Sequence, residues 1–304
     1  MLDFLRKEGI EENIIKDIEA FRREYGLSED NAHRIPKPHY NYYGTQVWRQ
    51  ALTALLAGEN ILLVGPKATG KNVLAENLSA VFQRPQWDIS FYLNTDASSL
   101  IGTDTFKNGT VSLRRGPIYR CAEAGGFGIL DEINMAKNEA LSVLHATLDF
   151  RRIIDVPGYE RIELSPATRF IATMNHGYAG TRELNEALAS RFMVINMPII
   201  GGEALQKLLL HAYPRLKAEY ARELSLMFQE LRAKCDSAEL STKALDLRGL
   251  LAAVKLVAQG LSLGEALEMG IVNKSFDEFE RQLVCDIIAA RIDGSADAGR
   301  LFAD

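Results

Sequence analysis

Two glycines and a lysine give this sequence its strongest chemical signal. Gly65 and Gly70 are separated by four residues, and Lys71 follows the second glycine. Glycine allows a loop to turn so that successive backbone N–H groups point at an anion, and the lysine ammonium adds a positive charge. The apolar run 61–64 precedes this loop, and a helical pattern follows it. The spacing therefore predicts that residues 65–72, the phosphate loop, bind the phosphates of ATP.

The last residue of the phosphate loop departs from the usual motif. Ser or Thr commonly ends such loops and supplies a hydroxyl ligand to Mg²⁺, whereas this chain has Asn72. An amide oxygen is also a hard ligand, so we expect Asn72 to contact the metal ion after some repacking. The predicted contacts of ATP are Gly65, Pro66, Lys67, Ala68, Thr69, Gly70, Lys71, Asn72 and Val73.

A pair of acidic residues, Asp131 and Glu132, follows the apolar run 127–130. In α/β folds that bind nucleotides, the end of such a strand lies beside the phosphate loop. We expect Asp131 to hold Mg²⁺ through water. Glu132 would orient and partly deprotonate the attacking water, because phosphoryl transfer needs an in-line nucleophile. The competing interpretation is a solvated acid pair at a strand end.

Polar residues after the apolar run 170–173 complete a set of motifs. Asn175 ends that run, Arg182 follows a Gly-Thr pair, and Arg191 lies in a Ser-Arg-Phe triplet. From about residue 43 to residue 261, the chain resembles the MoxR group of AAA+ ATPases, particularly the branch that includes the activators of Rubisco and of nitric oxide reductase. The resemblance implies that Asn175 is sensor 1, which helps to position the attacking water, and that Arg191 is an arginine finger acting on the neighbouring subunit. Arg182 is the second candidate for the finger; a strand-end cap and surface arginines are the alternative interpretations.

The resemblance also implies a sensor 2 arginine in the C-terminal part of the chain. Arg248 matches the family's pattern of a helix cap followed two residues later by arginine, and Asp246 is a suitable N-cap. On a helical projection Arg248 flanks the apolar stripe, so it can face a site while the helix packs. Lys243 remains the alternative sensor.

Two further features depend on the resemblance. The family packs backbone and apolar side chains around adenine just before the first helix of the ATPase domain, where Tyr43 and Gly44 lie. Core packing is the favoured interpretation for the tyrosine ring. Ala68 stands where the family commonly has glycine, and together with Asn72 it indicates a change in catalytic rate rather than in fold.

Apolar runs alternate with helical patterns through the middle of the chain. The predicted strands are 61–64, 88–93, 127–130, 170–173 and 194–197. We therefore expect an α/β AAA+ P-loop NTPase fold, with a parallel sheet sandwiched by helices and a C-terminal all-helical lid domain. The predicted division is an N-terminal helical arm at 1–40, the AAA+ domain at 41–200 and the lid at 201–304.

Two hairpins are expected within the AAA+ domain. Asn108-Gly109 is a strong two-residue turn signal, and Pro157-Gly158 separates the predicted strands 152–156 and 159–164. By the resemblance, insertions at about 100–119 and 150–165 face the central pore of a ring; solvated loops are the alternative. Their basic residues are Lys107, Arg114, Arg115, Arg151 and Arg152.

Composition disfavours several classes of protein. The chain has 304 residues, 47% of them hydrophobic, and a formal net charge of −5, which argues against a sequence-independent nucleic-acid binder. No apolar run approaches the ~20 residues that cross a bilayer, and the N-terminus lacks a signal-peptide pattern, so we expect a cytoplasmic protein without membrane insertion. The three widely spaced cysteines, Cys121, Cys235 and Cys285, predict small buried side chains rather than disulfides or a zinc site.

Together these motifs predict an ATPase with ATP and Mg²⁺ as cofactors. The resemblance implies a hexameric ring that remodels, activates or aids the assembly or metal-cofactor maturation of a client enzyme, with a partner that carries a von Willebrand factor A domain. A slow-turnover binding module controlled by nucleotide is the alternative, and a nucleic-acid motor is a weaker one.

Overall fold

The chain folds into two compact units. The computed structural model describes residues 1–26, 28–107, 109–175 and 184–303, with Lys107 described by its backbone alone. The first unit contains Met1–Pro66 and Gly70–Pro198, and the second contains the residues from Ile199 onward together with Lys67–Thr69.

The first unit is built around a parallel sheet. Its strands are β1 (Ile61–Val64), β2 (Gln86–Ser90), β3 (Gly102–Lys107), β4 (Thr110–Arg115), β5 (Phe127–Asp131), β6 (Ile153–Ile154), β7 (Ile162–Glu163), β8 (Arg169–Met174) and β9 (Met193–Asn196). Five of them form one sheet in the order β2-β5-β8-β1-β9, and all neighbouring pairs are parallel. This sheet confirms the predicted α/β fold, and it brings the carboxyl ends of β1, β5 and β8 to one edge.

The strand predicted at 88–93 corresponds to β2, which ends at Ser90, three residues earlier than expected. Phe91 N–H still donates to the Asp131 carbonyl oxygen at 2.9 Å. Beyond it, Tyr92 N–H donates to Thr95 Oγ1 and Thr95 N–H donates to the Tyr92 carbonyl, both at 2.9 Å. This tight turn ends the strand pairing although the local sequence remains apolar.

Helices cover both faces of the sheet. Those of the first unit are α1 (Leu2–Lys7), α2 (Glu12–Glu24), α3 (Glu29–Ala32), α4 (Thr45–Leu56), α5 (Lys71–Phe82), α6 (Ala97–Ile101), α7 (Pro117–Ala124), α8 (Asn138–Leu141), α9 (His145–Leu148) and α10 (Glu186–Ala189). Ile61 and Leu63 of β1 join the core formed with α1, α2, α4 and α5, whereas Leu62 and Val64 join the core formed with α6 and α7. Successive side chains of a strand point to opposite faces, so every residue of β1 is buried.

The N-terminal helices belong to the core of the first unit. Leu5, Ile15 and Ile18 are fully buried, and Phe21 of α2 meets Phe82 of α5 edge to face, with ring centroids 5.1 Å apart. Apolar burial of this kind stabilises a fold by roughly 1.5–3 kcal/mol for each large side chain. Residues 1–24 therefore pack as part of one face of the sheet.

The first unit contains two hairpins outside the five-stranded sheet. β3 and β4 pair along six residues, from Gly102 opposite Arg115 to Lys107 opposite Thr110. The second hairpin pairs two residues on each side, in β6 and β7, so the longer strands predicted at 152–156 and 159–164 were wrong. Arg152 adopts a φ of +49°, which interrupts an extended strand at that point. The Tyr159 hydroxyl donates to Asp104 Oδ1 at 2.7 Å and joins the two hairpins.

The described residues of the second unit form helices and connecting loops, with one isolated antiparallel bridge between Leu216 and Phe302. Its helices are α11 (Gly202–Ala212), α12 (Ala218–Asp236), α13 (Leu247–Val257), α14 (Leu263–Gly270), α15 (Glu278–Arg291) and α16 (Ala298–Leu301). The backbones of α13 and α14 pack closely together at Gly249 and Gly270. A Cβ on Gly249 would lie only 1.9 Å from the Gly270 carbonyl oxygen, so glycine permits this contact. Leu250, Leu251 and Val254 form the buried stripe of α13.

Two features outside the sheet complete the description. Among the helices described, none is long and apolar enough to cross a membrane. The described cysteines are free, but Cys285 is exposed on α15 and only Cys121 is buried. The expectation of three buried cysteines was therefore wrong, because the sequence pattern did not show which face of α15 the thiol occupies.

Candidate functional site

The phosphate loop leaves the carboxyl end of β1 and enters α5. Gly65 N–H donates to the Met174 carbonyl oxygen at 3.2 Å, which ties the start of the loop to β8. Gly70 has a φ of +80°, and a Cβ there would lie 3.1 Å from Cδ2 of Tyr42, so both backbone shape and space favour glycine. In the described chain no side chain caps the N-terminus of α5. Its first N–H groups are arranged as an anion site requires.

Lys71 is buried at the start of α5, with only 8% of its surface exposed. Its Nζ donates to the Gly65 carbonyl at 2.8 Å and to the Pro66 carbonyl at 2.7 Å. Burial lowers the pKa of Lys71 to about 8, while the nearby charges of Asp131 and Glu132 act in the opposite direction. The ammonium group is thus fixed beside the loop, and burial has removed most of its hydration. An anionic ligand would offset this loss.

The Thr173 hydroxyl joins the two acids at the strand ends. Thr173 Oγ1 donates to Asp131 Oδ1 at 2.7 Å and accepts a hydrogen bond from Glu132 N–H at 3.0 Å. Thr173 itself is almost fully buried in β8. One side chain therefore sets both the orientation of the Asp131 carboxylate and the backbone direction at Glu132.

The Glu132 carboxylate is oriented by Asn175. Asn175 Nδ2 donates to Glu132 Oε1 at 2.7 Å, and the Asn175 carbonyl accepts a hydrogen bond from Asn134 Nδ2 at 3.1 Å. Glu132 has a φ of +53°, a left-handed conformation that is uncommon for a residue with a side chain and clusters at functional sites. The arrangement holds a carboxylate oxygen in a defined position, as a base for water requires.

Asn72 and Asp131 have the donor chemistry of a Mg²⁺ site. Asp131 lies at the end of β5, and the exposed Asn72 is the second residue of α5. Both offer oxygen ligands, which Mg²⁺ prefers, and this ion commonly takes one or two protein ligands together with phosphates and water. The described residues contain no group of three or more His, Cys, Asp or Glu side chains that could hold a metal ion.

Comparison with known proteins agrees with this geometry. Residues 60–192 match the family described as AAA domain (dynein-related subfamily). The uncharacterized protein YojN of Bacillus subtilis (strain 168) is 34% identical over 242 residues, which cover 78% of this chain and 79% of that protein. An uncharacterized protein of Staphylococcus aureus (strain USA300) is 34% identical over 257 residues, covering 82% and 97% respectively. The chain belongs to the AAA domain family. It is therefore an ATPase of the general AAA+ kind with a nucleotide-binding domain.

Arg191 lies after α10 of the AAA domain and contacts its own chain. Its Nε donates to the His145 carbonyl at 3.1 Å, its Nη1 to the Ala187 carbonyl, and its Nη2 to Asp149 Oδ2 at 3.4 Å. Arg151 donates to the same carboxylate at 2.7 Å. Hydrogen bonds from Arg151 are the main reason that the pKa of Asp149 falls to about 2. Arg191 stays a predicted finger.

The other predicted site residues are Arg182, Arg248 and the alternative Lys243. Arg182, the second candidate for the finger, falls outside the described residues. Arg248 is exposed as the second residue of α13, and Asp246 Oδ1 accepts from Gly249 N–H at 3.0 Å, so the predicted N-cap is present. Lys243 lies 5.7 Å from the centroid of the Phe276 ring. Which of the two residues is sensor 2 stays open.

The structure adds one residue that the sequence pattern did not single out, Thr173. The Tyr42 ring packs on Gly44 and Gly70, burial raises the pKa of Tyr42 to about 12, and its N–H donates to Asn77 Oδ1 of α5 at 2.9 Å. Tyr43 is half-buried and its ring meets that of Phe4 edge to face, and Val73 is half-buried against the core that contains Tyr42. A polar residue inside an otherwise apolar strand was the available signal for Thr173.

Proposed function

We propose that this chain is the subunit of a ring-forming AAA+ ATPase of MoxR type, which uses ATP hydrolysis to remodel or activate a partner protein. The observation that carries the proposal is the 2.7 Å hydrogen bond from Asn175 Nδ2 to Glu132 Oε1. This hydrogen bond fixes the orientation of the Glu132 carboxylate at the edge of the sheet where the phosphate loop begins. Positioning of the nucleophile and of charge is the main requirement of phosphoryl transfer.

The residues divide the work of hydrolysis between binding and activation of water. The backbone of the phosphate loop and Lys71 hold the phosphates, and Asn72 and Asp131 would hold Mg²⁺. When bound, the ion would offset charge that develops on the phosphates. Glu132 accepts the proton of the attacking water, and Asn175 keeps the carboxylate in line.

The Glu132→Gln substitution tests the assignment of the base. It keeps the size of the side chain and removes most of its basicity, so we expect ATP affinity within about threefold of the parent and turnover reduced at least about 100-fold. Calorimetry measures the affinity, and phosphate release measures the turnover. The matched control is Glu139→Gln on α8, an exposed glutamate outside the predicted site. Turnover near the parent rate in Glu132→Gln would remove Glu132 from its role.

The ring and its trans-acting finger require a test of their own. Arg191→Ala has an intact phosphate loop, whereas Lys71→Ala has an intact finger, so mixed rings should regain part of the activity that each variant lacks. Native mass spectrometry with ATP checks that mixed rings form, and their mass gives the stoichiometry, for which we expect a hexamer. Mixed rings without recovered activity would contradict a finger that acts between subunits.

The proposed partners follow from the MoxR resemblance. We expect two partners. One is a protein with a von Willebrand factor A domain, and the other is a client enzyme that the ATPase remodels, helps to assemble or helps to mature with its metal cofactor. The two joined hairpins are the proposed contact with the client, since they lie outside the five-stranded sheet and carry exposed arginines. Co-purification in the presence of ATP with Glu132→Gln, which retains nucleotide, is the measurement that identifies both.

A second candidate is a slow module whose binding is switched by nucleotide. Ala68 has a φ of +63° where glycine would be unstrained, at a cost of about 1 kcal/mol. Asn72 replaces the usual hydroxyl ligand. The ATPase rate with Mg²⁺ separates the candidates: many turnovers per minute favour the remodelling ATPase, and fewer than about one per hour, with tight ATP binding, favours the switch.

A further inference from the structure

A cleft lined by arginines lies near the edge strand β2, outside the site described above. Its volume is about 560 Å³, and four arginines contribute to its lining: Arg34, Arg114, Arg115 and Arg120. Trp87 and Asp88 of β2 form part of its wall. These four arginines with Trp87 are called the arginine cleft below.

The charge of the arginine cleft is not balanced by neighbouring acids. Arg115 donates to Glu123 at 2.7 Å, and Arg34 stacks over the ring of Trp87 at 4.7 Å from its centroid. Arg114 and Arg120 are exposed and form no ion pair with any residue that the structure describes. Four guanidinium groups against the two carboxylates Asp88 and Glu123 leave a local excess of positive charge in a chain whose formal net charge is −5.

The arginine cleft is separate from the phosphate loop. β2 is the edge strand, three positions from β1 in the sheet, which corresponds to roughly 14 Å at the usual strand spacing. Trp87 is the second residue of β2, near its amino end. The phosphate loop and the acid pair instead follow the carboxyl ends of their strands. The cleft therefore does not extend the nucleotide site.

We propose that the arginine cleft binds a small phosphate-bearing anion. The guanidinium fork matches the geometry of phosphate oxygens in a bidentate contact, and Arg is weakly hydrated compared with Lys, which favours such pairs. A concave site of this volume lies within the range typical of small-molecule ligands. A flat basic surface would suit an extended polymer better, and these arginines instead surround a concavity.

The cleft brings together the neighbouring elements β4 and α7 with Arg34 and β2, which lie much earlier in the chain. Arg34 follows α3, Arg114 and Arg115 belong to β4, and Arg120 belongs to α7. A bound anion would bridge the N-terminal segment, the base of the β3–β4 hairpin and α7. It would therefore reduce the motion of this hairpin relative to the sheet. In this way the anion would affect how the hairpin binds other molecules.

The proposal is tested by titration of a protein whose phosphate loop is disabled. In the Lys71→Ala background, pyrophosphate and ribose 5-phosphate are titrated separately by calorimetry, to distinguish an inorganic polyphosphate from a phosphorylated metabolite. We expect binding of at least one probe, and at least a tenfold loss of affinity on adding Arg114→Gln with Arg120→Gln. Arg23→Gln, on the exposed face of α2, is the matched control and should leave affinity unchanged. The fluorescence of Trp87 gives a second readout, and Trp87→Phe identifies its signal because Trp48 is the other tryptophan.

Three results would overturn the proposal. The first is the absence of binding of both probes at millimolar concentration. The second is equal affinity in the protein with and without the two arginine substitutions, with circular dichroism showing that both are folded. The third is tighter binding of an acidic decapeptide or of duplex DNA than of either probe. Because every titration uses the Lys71→Ala background, the outcome is independent of whether the chain is a remodelling ATPase.

Discussion

The phosphate loop and the arginine cleft are both proposed anion sites, but the chain builds them in different ways. The loop is eight consecutive residues that lead into the N-terminus of α5, and it contains the buried cation Lys71. The arginine cleft uses the exposed side chains of Arg114, Arg115 and Arg120 together with the half-buried Arg34. Backbone donors and a desolvated ammonium give a strong, stereospecific site. Exposed arginines give a weaker site whose shape depends on how the elements pack.

This difference shows why one site has a motif and the other does not. The loop requires glycine at Gly70, because φ is +80° and the Tyr42 ring lies against it. The arginine positions of the cleft impose no such local condition on backbone shape, and any long basic side chain at the right place in space would contribute. Substitutions should therefore affect ATP binding through the loop and the proposed anion binding through the cleft, each without the other.

The largest expected effect is that of Lys71→Ala on ATP binding. The loop motif contains two cations, the buried Lys71 and the exposed Lys67. Without Lys71 the phosphates lose the buried one, and we expect ATP affinity to fall at least about 100-fold. Arg114→Gln with Arg120→Gln should leave ATP affinity within about twofold of the parent. Calorimetry with ATP on both variants checks this separation. A similar loss in the arginine variant would mean that the two regions form one site.

The next effect concerns the acid pair, through Thr173→Val. The substitution preserves shape but removes the hydroxyl that orients Asp131 and satisfies Glu132 N–H. Leaving a buried donor unsatisfied costs about 1–3 kcal/mol, and we expect turnover to fall about 10- to 100-fold. Thr173→Ser, which keeps the hydroxyl, should restore most of the rate. Equal rates in the Val and Ser variants would show that the hydroxyl has no part in hydrolysis.

A smaller effect is expected from pH, because the pKa of buried Lys71 is lowered to about 8. The free protein loses this proton as pH rises through 8, whereas bound phosphate favours the charged form. Between pH 7 and 9 the charged fraction falls from about nine-tenths to about one-tenth, so ATP affinity should fall about tenfold. Lys71→Arg remains charged and should show a much flatter profile. Phosphate-probe affinity in the arginine cleft should likewise stay flat over this range.

The smallest effect is expected from Asn72→Thr. A hydroxyl at this exposed first-turn position restores the usual inner-sphere ligand with a shorter reach. We expect Mg²⁺-supported turnover to stay within about threefold of the parent or to rise. Rates measured over a range of Mg²⁺ concentrations check this. A large loss would mean that Asn72 is an adapted ligand and that its amide is required.

Much of the fold was predictable because its signals are local. The burial of β1 follows from four consecutive apolar residues, and the five strands of the sheet were all expected from such runs. The hairpin at β6 and β7 was predicted too long, since the left-handed φ of Arg152 depends on its surroundings. The N-terminal helices looked like an arm, because amphipathic periodicity shows that a helix has an apolar face but not which surface covers it.

The sequence by itself determined the phosphate loop and the acid pair, since each is a short run whose chemistry depends on neighbours in the chain. Only the tertiary structure decided that Thr173 bridges Asp131 and Glu132, that Asn175 reaches the Glu132 carboxylate, and that Arg191 contacts Asp149. It also decided that arginines 34, 114, 115 and 120 surround one cleft. These contacts join residues up to 86 positions apart in the chain, and parallel strand register and helix packing, which no local pattern encodes, bring them together.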